Sequence, residues 1–497
     1  MKISKAVSRV TDKTSSKSPG KLPASCAVMI LAAGQGKRMR SALPKVLHEI
    51  GGQPLLFHIL NRISETAPKA PVAIVVGHGK EQVEAAVLAQ LDFSKMNITF
   101  VHQPEQRGTG HAARCAMDSP WGDAQVRAKN PVLVLPGDLP LIPGSLITQM
   151  VEPLGKGGGL RLLTCQLPDP KGYGRVVRRG KKGPVLRIVE EKDANAREKE
   201  IHEVAASIYF FHSPFLQASL HRLSDKNAQS EYYLTDLVAN ASRAKKKVDV
   251  LNWQSAEDLR GINDPWELAV AQKFLNERTV KAWAQKGVRF ADPWSVQIDS
   301  QVELAEDVSI QSGVILHGKT RIRKGAIIGP RVVLKNVLVG EEAQLKVGTV
   351  AENSVIGAHA QLGPYAHLRP ESEVGEYSKI GNFVELKKTK IGTSTSIAHL
   401  SYLGDAEVGS RVNIGCGFVT CNFDGRVIDG QRKHRTVIED DVFLGSDCQA
   451  IAPIRIGKGA YVASGSTLTQ SVEPDALAIA RSRQVNKAGY ASRLRGK

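Results

Sequence analysis

The 497-residue sequence predicts two domains in series, a parallel α/β sheet domain and then a β-helix of six-residue repeats. Two patterns predict this order. Up to about residue 250, buried-strand runs such as AVMILAA and PVLVLPGD alternate with amphipathic helical stretches, as in a parallel sheet covered by helices. After residue 299, aliphatic residues recur at every sixth position. Neither an α-helix nor an alternating strand has that period.

The first segment, residues 1–25, has six basic residues and one acidic residue among Ser, Thr, Pro and Gly. This composition cannot form a core, so we predict a flexible basic tail. It has no apolar stretch before a cleavage site, as a secretory signal would. The longest apolar run, Cys26 to Ala33, has eight residues and is too short to span a membrane. We therefore expect a cytoplasmic protein.

The second segment, residues 26–255, is the predicted α/β domain. Its three clearest strand runs are followed by helical periods over residues 46–64, 81–91 and 144–151. Residues 258–286 have the pattern of a long helix, so we assign residues 256–298 to a helical linker.

Residues 299–480 have the hexapeptide pattern. Large aliphatic side chains occupy every sixth position at Leu304, Ile310, Leu316, Ile322, Ile328 and Leu334. A second inward-facing residue follows the first five by four positions, at Val308, Val314, Thr320, Ala326 and Val332. A three-sided coil explains this spacing, and the segment is long enough for roughly ten coils. An antiparallel β domain does not keep a six-residue phase over five successive units.

The net charge of +18 favours acidic ligands, which include phosphates, nucleic acid and anionic membranes. Much of this charge lies in two tails, because residues 481–497 add six basic residues and no acid. Aromatic residues make up only 5%, and no stacking motif for RNA is present, so we expect no nucleic-acid partner. The six cysteines lack zinc-ligand spacing and are interpreted as reduced thiols.

A phosphate-binding loop is predicted after the first strand. Gly34 and Gly36 follow AVMILAA, and glycines there let backbone N–H groups approach a phosphate. The loop is not a Walker motif and lacks the third glycine of a dinucleotide fingerprint. Lys45 adds a cation downstream, and Asp138 at the end of a strand is well placed to hold a divalent cation.

These segments resemble the bacterial bifunctional N-acetylglucosamine-1-phosphate uridyltransferases/glucosamine-1-phosphate acetyltransferases. The resemblance covers about residues 26–490. The motifs of the first half are LAAGQGKRM, LPKVLH, QPEQRGTGHA, PGDLPL, GYGRVV, IVEEKDA, EYYLTD and GIND. Those of the second half are HLRPESEVG, GNFVELKK, IAHLSYLGDAEVG, VNIGCGFVTCNFDG, HRT, DDVFLGSD and ALAIARSRQ.

The resemblance implies a Rossmann-like nucleotidyltransferase domain followed by a left-handed parallel β-helix. The implied activities are acetylation of glucosamine 1-phosphate by acetyl-CoA and transfer of UMP from UTP to N-acetylglucosamine 1-phosphate. The product, UDP-N-acetylglucosamine, is a precursor of peptidoglycan and lipopolysaccharide. The resemblance further implies Mg²⁺ as cofactor and a homotrimer whose acetyltransferase site lies between neighbouring subunits.

For the uridyltransferase half, the resemblance assigns phosphate contacts to Arg38 and Lys45 and Mg²⁺ to Asp138 and Asn263. The other residues that it places around UTP and the sugar are Leu31, Ala32, Ala33, Gly34, Gln103, Gly108, Thr109, Pro136, Gly137, Gly174 and Glu190.

For the acetyltransferase half, acetyl transfer to an amine needs a base, and His399 is the predicted one, with Glu385 orienting its imidazole. A histidine in a β-helix is more often structural, and the surrounding motifs favour the catalytic interpretation. The sugar-phosphate contacts implied by the resemblance are Arg369, Lys387, Tyr402 and Asn413. The implied acetyl-CoA contacts are Cys416, Asn422, Phe423, Ser446, Ser464 and Arg481.

The sequence departs from the family pattern at several of these positions. The family's E-x-N-x-G segment, which faces the sugar, is here Glu203 to Ser207, with Ala205 in place of Asn. We expect weaker or relaxed acceptor binding from this change. Phe423 replaces a Tyr, Cys416 and Ser464 replace alanines, and the loop at residues 426–431 is lengthened. An alternative hypothesis is an acetyltransferase whose N-terminal half only binds nucleotide sugars in a regulatory role.

Overall fold

The computed structural model describes residues 26–155, 158–180, 183–427 and 430–496. The predicted N-terminal tail, residues 1–25, lies outside the described residues. The chain forms two compact units, one that ends at Phe274 and one that begins at Leu275.

The first unit is an α/β domain of eleven described strands and eight described α-helices. Strands β1–β11 span Ala27–Leu31, Glu49–Ile50, Gln53–Pro54, Pro71–Val76, Asn97–His102, Pro131–Pro136, Gly158–Gln166, Gly174–Arg178, Val185–Val189, Glu203–His212 and Lys247–Trp253. Helices α1–α8 span Leu55–Thr66, Lys80–Leu88, Thr109–Met117, Pro120–Ala128, Gly144–Met150, Ala196–Lys199, Ser213–Leu220 and Asp236–Arg243. Short 3₁₀ helices span Lys37–Met39, Lys45–Leu47, Leu91–Phe93 and Ala256–Leu259.

The main sheet of this unit has the strand order β11-β7-β10-β6-β1-β4-β5. Strands β6, β1, β4 and β5 run parallel, which confirms the predicted parallel sheet. Strand β10 pairs antiparallel with β6, β7 and β8, and β8 pairs with β9. Helices cover both faces, so β1, β4 and β6 are almost wholly buried.

The helix predicted over residues 46–64 is helical only from Leu55. The preceding residues form a 3₁₀ turn and then the β2–β3 hairpin. Gly51 and Gly52 connect this hairpin with φ angles of 54° and 71°, a left-handed turn that glycine adopts without strain. The apolar periodicity of residues 46–54 therefore reflects burial against the sheet rather than a helix.

The second unit is a left-handed parallel β-helix with three faces. The first face consists of Arg289–Phe290, Ser309–Ile310, Ile327–Ile328, Gln344–Leu345, Gln361–Leu362, Lys379–Asn382, Ser396–His399, Asn413–Ile414, Phe443–Leu444, Tyr461–Val462 and Leu477–Ala478. The second consists of Gln297–Ile298, Ile315–His317, Val333–Lys335, Val350–Glu352, His367–Leu368, Glu385–Lys387, Tyr402–Gly404, Val419–Cys421, Gln449–Ile451 and Thr467–Leu468. The third consists of Glu303–Leu304, Arg321–Ile322, Leu338–Val339, Val355–Ile356, Glu373–Val374, Lys390–Ile391, Ala406–Val408, Thr436–Ile438 and Ile454–Ile456.

The hexapeptide periodicity corresponds directly to the interior of this β-helix. All six large aliphatic residues of the repeat and all five residues that follow them by four positions are buried. Thr320, the polar member of the second set, donates from its hydroxyl to His317 O and accepts from Val337 N. The repeat therefore supplies the apolar core and also hydroxyls that satisfy backbone groups at the corners.

A long helix, α9, spans Pro265–Gln285 within the segment predicted as a helical linker. In the same segment, Arg289–Phe290 and Gln297–Ile298 already pair in parallel with later strands of the first and second faces.

None of the described helices is both long and apolar enough to cross a membrane. All six cysteines are free thiols.

Candidate active sites

The predicted phosphate loop lies at the carboxyl end of β1. Gly36 has a φ of 60° and precedes the 3₁₀ helix Lys37–Met39. A Cβ atom added to Gly36 would lie 2.7 Å from Lys45 Cβ, whereas one on Gly34 would meet nothing within 4 Å. Gly36 is therefore required by the close approach of Lys45, and Gly34 leaves open space. Arg38 is exposed in the same 3₁₀ helix.

The three residues predicted to handle phosphate and metal come together at this edge of the sheet. The Lys45 ammonium forms an ion pair with Asp138 Oδ2 and lies 3.5 Å from Asn263 Oδ1. The backbone N–H of Asn263 donates to Glu267 Oε2 over 2.6 Å, which fixes the start of helix α9. Asp138 Oδ2 and Asn263 Oδ1 thus share one cationic partner, Lys45. Along the chain, Asp138 lies 93 residues from Lys45 and Asn263 lies 218 residues from it.

A carboxylate and a carboxamide oxygen that face one point are the donor set that Mg²⁺ accepts. Among the described residues, no group of three or more His, Cys, Asp or Glu side chains gathers as a metal site. Two protein oxygens are nevertheless sufficient for an ion that completes its shell with water and substrate phosphates. Asp138 and Asn263 therefore fit the divalent metal that the nucleotidyltransferase fold implies.

Gln103 is buried and holds the loop that follows strand β5. Its backbone N–H donates to Val76 O, and its side-chain Nε2 donates to Gly108 O over 3.2 Å. Thr109 Oγ1 accepts from Leu234 N over 3.2 Å. These bonds place Gln103, Gly108 and Thr109, all predicted to contact UTP, in one ordered loop.

Sequence reasoning missed Gln106 in this loop. Its Nε2 donates to Ala33 O over 2.7 Å and so connects the loop that follows strand β5 to the segment just after β1. Ala32 and Ala33 are buried, Leu31 is half-buried, and Gly34 is exposed. Pro136 ends β6, and Gly137 N donates to Leu31 O over 2.8 Å. The segment QPEQRGT was the available signal, but sequence spacing could not assign its second glutamine to a carbonyl 73 residues away.

On the predicted sugar side, Glu190 is half-buried beside Gly174. A Cβ atom on Gly174 would lie 2.8 Å from Ile188 Cγ2 and 3.5 Å from Glu190 Oε2, so the close approach of Ile188 favours glycine and the Glu190 carboxylate lies next to it. Burial raises the pKa of Glu190, and a hydrogen bond from Thr235 Oγ1 at 2.9 Å partly offsets this. Ala205 is buried and pairs in register with Gly174, so the family departure lies directly beside these sugar-side residues.

A buried guanidinium follows Gly174 in strand β8, and sequence reasoning did not single it out. Arg175 is 2% exposed and forms an ion pair with Glu191 Oε2 at 2.7 Å. Glu191 also accepts from Gly172 N over 3.1 Å, and these two partners lower its pKa. The Glu191 carboxylate thus binds Gly172 and Arg175, which lie on either side of Gly174. These bonds join the residues around Gly174 to the turn after Glu190, and so hold both sugar-side residues in place.

The predicted acetyltransferase residues lie on the first two faces of the β-helix. His399 ends the strand Ser396–His399, and its side chain is exposed. Its register partner one coil earlier is Asn382. Glu385 pairs in register with Tyr402 and accepts a hydrogen bond from Arg369 Nη1 at 3.0 Å. Glu385 and Arg369 thus hold each other on the second face.

Tyr402 and Asn422 approach one another over Gly404. A Cβ atom there would lie 2.4 Å from the Tyr402 hydroxyl and 2.5 Å from Asn422 Nδ2. Asn422 is buried and donates from Nδ2 to Asp405 Oδ2 over 2.6 Å. The structure therefore brings together one residue predicted to contact the sugar phosphate and one predicted to contact acetyl-CoA. Lys387 lies in the coil before Gly404, and Asn413 is exposed on the first face.

The remaining residues predicted to bind acetyl-CoA follow one corner of the β-helix. Cys416 O accepts from Asp447 N, and Ser446 O accepts from Gly465 N, so these turns stack on successive coils. Gly445 approaches Ser464, since a Cβ atom there would lie 2.6 Å from the Ser464 hydroxyl. Arg481 is exposed after the last first-face strand.

Phe423 is 57% exposed, and the Lys433 ammonium lies 4.6 Å from the centroid of its ring. The lengthened loop begins after Phe423. Asp424 accepts from Arg426 Nε over 2.7 Å, and the Arg426 guanidinium lowers the pKa of Asp424 to about 2. Residues 428–429 of this loop lie outside the described residues.

Comparisons with known proteins agree with this two-part arrangement. Residues 28–170 match the family model of the MobA-like NTP transferase domain, and residues 353–388 match that of the bacterial transferase hexapeptide (six repeats). The fold and the two groups of residues therefore define a nucleotidyltransferase joined to a hexapeptide-repeat transferase.

Curated relatives define the family more narrowly. The chain is 43% identical to the bifunctional protein GlmU of Sorangium cellulosum, over 96% of this chain and 98% of that protein. It is 42% identical to GlmU of Trichlorobacter lovleyi, over 94% and 98% of the two chains. GlmU of Geotalea uraniireducens is 41% identical over 93% and 98%. The chain belongs to the family of bifunctional GlmU proteins.

Proposed function

We propose that this chain makes UDP-N-acetylglucosamine with two separate centres. The β-helix acetylates glucosamine 1-phosphate, and the α/β unit then transfers UMP from UTP to the acetylated product and releases pyrophosphate. The product supplies peptidoglycan synthesis. The observation that supports this function best is the convergence of Lys45, Asp138 and Asn263 at the carboxyl edge of a parallel sheet, where such folds bind nucleotides.

In the uridyl transfer, an oxygen of the sugar phosphate attacks the α-phosphorus of UTP, and the bond to the pyrophosphate leaving group breaks. The attacking phosphate is already ionised, so the site needs alignment and charge screening rather than a strong base. Arg38 and Lys45 screen the phosphates, while Gln103, Gly108 and Thr109 hold the uracil. When Mg²⁺ is bound by Asp138 and Asn263, it supplies additional charge stabilisation at the phosphate oxygens.

The sugar of the acceptor is held beside Gly174 and Glu190. The Glu190 carboxylate accepts from sugar hydroxyls, and the absence of a side chain on Gly174 lets the ring approach. Ala205 lacks the amide that the family presents here, so we expect weaker or relaxed acceptor binding. The regulatory alternative for this half is not favoured, because the matched family is bifunctional over the full length of the chain.

In the acetyl transfer, the amine nitrogen of glucosamine 1-phosphate forms a bond to the thioester carbon, and the C–S bond breaks. His399 takes the proton that the amine loses and returns it to the departing CoA thiolate. Arg369, Lys387, Tyr402 and Asn413 hold the sugar phosphate. The acetyl-CoA lies along the corner that carries Cys416, Ser446 and Ser464, with Asn422, Phe423 and Arg481 near it.

The hexapeptide repeats favour oligomerisation, and we propose a homotrimer with the acetyltransferase centre between subunits. The exposure of His399 and Arg481 supports this proposal, because a site that excludes water during acyl transfer needs a further surface packed over these residues.

We also propose a cytoplasmic location, because the two substrates UTP and acetyl-CoA are found there.

The test is a coupled assay with glucosamine 1-phosphate, acetyl-CoA, UTP and Mg²⁺, in which each component is omitted in turn. We expect UDP-N-acetylglucosamine only in the complete mixture. His399→Ala should lose acetyl transfer by orders of magnitude and keep uridyl transfer, whereas Asp138→Asn should do the reverse. A wild-type enzyme that forms no UDP-sugar from N-acetylglucosamine 1-phosphate would refute the first centre.

A further inference from the structure

An unpaired buried acceptor lies next to the proposed base of the acetyltransferase centre. The side-chain oxygen of Asn382 is buried and has no hydrogen-bond partner among the described residues. Its backbone carbonyl has a partner, because Asn382 O accepts from Leu400 N over 2.9 Å. Buried polar atoms are almost always paired in native proteins, so we expect this oxygen to accept a hydrogen bond.

Strand register gives one candidate donor. Asn382 and His399 end consecutive strands of the first face and are direct partners in the parallel pairing of Lys379–Asn382 with Ser396–His399. Side chains of register partners point the same way from neighbouring strands about 4.8 Å apart. This separation suits one hydrogen bond between an imidazole N–H and a carboxamide oxygen.

Glu385, the residue that sequence reasoning assigned to orient His399, has a different register and a different partner. It begins the next face, where it pairs with Tyr402, and its carboxylate accepts from Arg369. Among the described residues, the structure gives His399 no side-chain hydrogen bond to Glu385 or to Asn382, and the two candidates differ in that the Glu385 carboxylate already has a partner whereas the Asn382 oxygen has none. A carboxylate that already neutralises a guanidinium gains less from a second donor.

We propose that Asn382 is the positioning residue of the acetyl transfer: its Oδ1 accepts a hydrogen bond from one ring N–H of His399. The other ring nitrogen then keeps its lone pair and acts as the base. A neutral acceptor selects the tautomer without placing a negative charge beside the imidazole. This inference rests on the proposed acetyltransferase function and on His399 as its base.

The inference is tested with four full-length variants, each assayed for both activities. Asn382→Leu keeps the branched shape of the side chain and removes the acceptor, so kcat of acetyl transfer should fall about 10-fold to 100-fold with little change in KM for glucosamine 1-phosphate. Asn382→Asp restores an acceptor and should recover much of kcat. It should also move the acidic limb of the pH–rate profile to higher pH, because a carboxylate favours the protonated imidazole.

Glu385→Gln is the matched comparison on the second face, where the carboxylate contacts Arg369. It should change KM for the sugar phosphate more than kcat and leave the acidic limb in place. His399→Ala tests the underlying function separately: full acetyl transfer by that variant would refute the base, whatever Asn382 does.

The inference is overturned if Asn382→Leu keeps wild-type kcat, or if Asn382→Asp leaves the pH–rate profile unchanged while Glu385→Gln shifts it. Calorimetric unfolding and sedimentation velocity of the same preparations show whether each variant keeps a folded, assembled β-helix, which uridyl transfer by the separate first unit does not report. If Asn382→Leu loses the folded β-helix, the kcat and pH profile of Asn382→Asp decide the question.

Discussion

At the scale of single residues, Ala205 stands at a position where the resemblance to the family leads us to expect Asn. Ala205 is buried and lies opposite Gly174 in the β8–β10 pairing. Two residues later, Ser207 has a φ of 56° at the irregularity in strand β10. The family pattern that the resemblance implies has glycine at this position, and glycine adopts such a φ without strain. Both departures fall on one short segment of strand β10.

We predict that Ala205→Asn strengthens binding of N-acetylglucosamine 1-phosphate. An amide that pairs with the sugar contributes roughly 1–3 kcal/mol, which corresponds to a decrease in KM of about 5-fold to 150-fold. Ala205→Leu is the control, because it adds similar bulk and no hydrogen-bonding group. The KM measurement would contradict us if Asn left it unchanged or if Leu lowered it as well.

The raised pKa of Glu190 leads to a second prediction. Because burial disfavours its carboxylate, Glu190 takes up a proton at a higher pH than an ordinary glutamate. Acceptor binding should then weaken as the pH falls through that raised pKa, and KM for the sugar phosphate should rise. Thr235→Val removes the hydrogen bond that favours the carboxylate, so the rise should begin at a still higher pH.

Thr235→Ser keeps the hydroxyl and should follow the wild-type profile. The measurement is KM for the sugar phosphate between pH 5 and pH 8, with KM for UTP as the internal reference. Identical profiles for Thr235→Val and the wild type would show that Glu190 does not bind the acceptor as a carboxylate.

At the scale of elements, the corners of the β-helix depend on buried hydroxyls as much as on apolar packing. Thr395 Oγ1 donates to Gly409 O over 2.7 Å and accepts from Val412 N over 3.1 Å. Thr320 has the same pattern, with His317 O at 2.8 Å and Val337 N at 3.3 Å. Each hydroxyl satisfies one carbonyl and one N–H that the turn leaves without a strand partner.

We predict that Thr320→Val destabilises the β-helix although it keeps the side-chain volume. Two backbone groups lose their partner in a buried position, at a cost of roughly 1–3 kcal/mol. Thr320→Ser retains the hydroxyl and should cost less. Calorimetric unfolding of the full chain would measure this, and a Thr320→Val transition at the wild-type temperature would show that these bonds contribute nothing.

The sequence predicts elements well where one local period dominates. The strict spacing of Leu304, Ile310 and Leu316 determines the β-helix, because only a three-sided coil buries every sixth residue. The segment over residues 46–54 was predicted less well, since apolar residues in a hairpin packed on a sheet have a spacing similar to that of a helix face. Local patterns do not encode which surface an element contacts.

The same limit applies to the candidate sites. Motifs identified Lys45, Asp138 and Asn263, and the fold brings them together. Arg175 and Gln106 have no comparable signal, because their partners are fixed by loop packing rather than by spacing in the chain. Asn382 lies within the motif GNFVELKK, but its position beside His399 becomes clear only when the register of the coils is known.

At the scale of the whole molecule, the two centres should differ in how they depend on assembly. Lys45, Asp138 and Asn263 all lie in the first unit, and their mutual contacts are complete within one chain. The second centre is more open, since His399, Asn413 and Arg481 are exposed on one β-helix. Acetyl transfer requires that water be excluded from the thioester and from the base.

We therefore predict that dissociation of the proposed trimer abolishes acetyl transfer and spares uridyl transfer. Both activities would be measured on one preparation across a dilution series, with the oligomeric state followed by sedimentation velocity at each concentration. Acetyl transfer per chain should fall in parallel with the trimer fraction, while uridyl transfer per chain stays constant. If monomers retained full acetyl transfer, the centre would be complete within one chain, and the exposure of His399 would need no partner subunit to explain it.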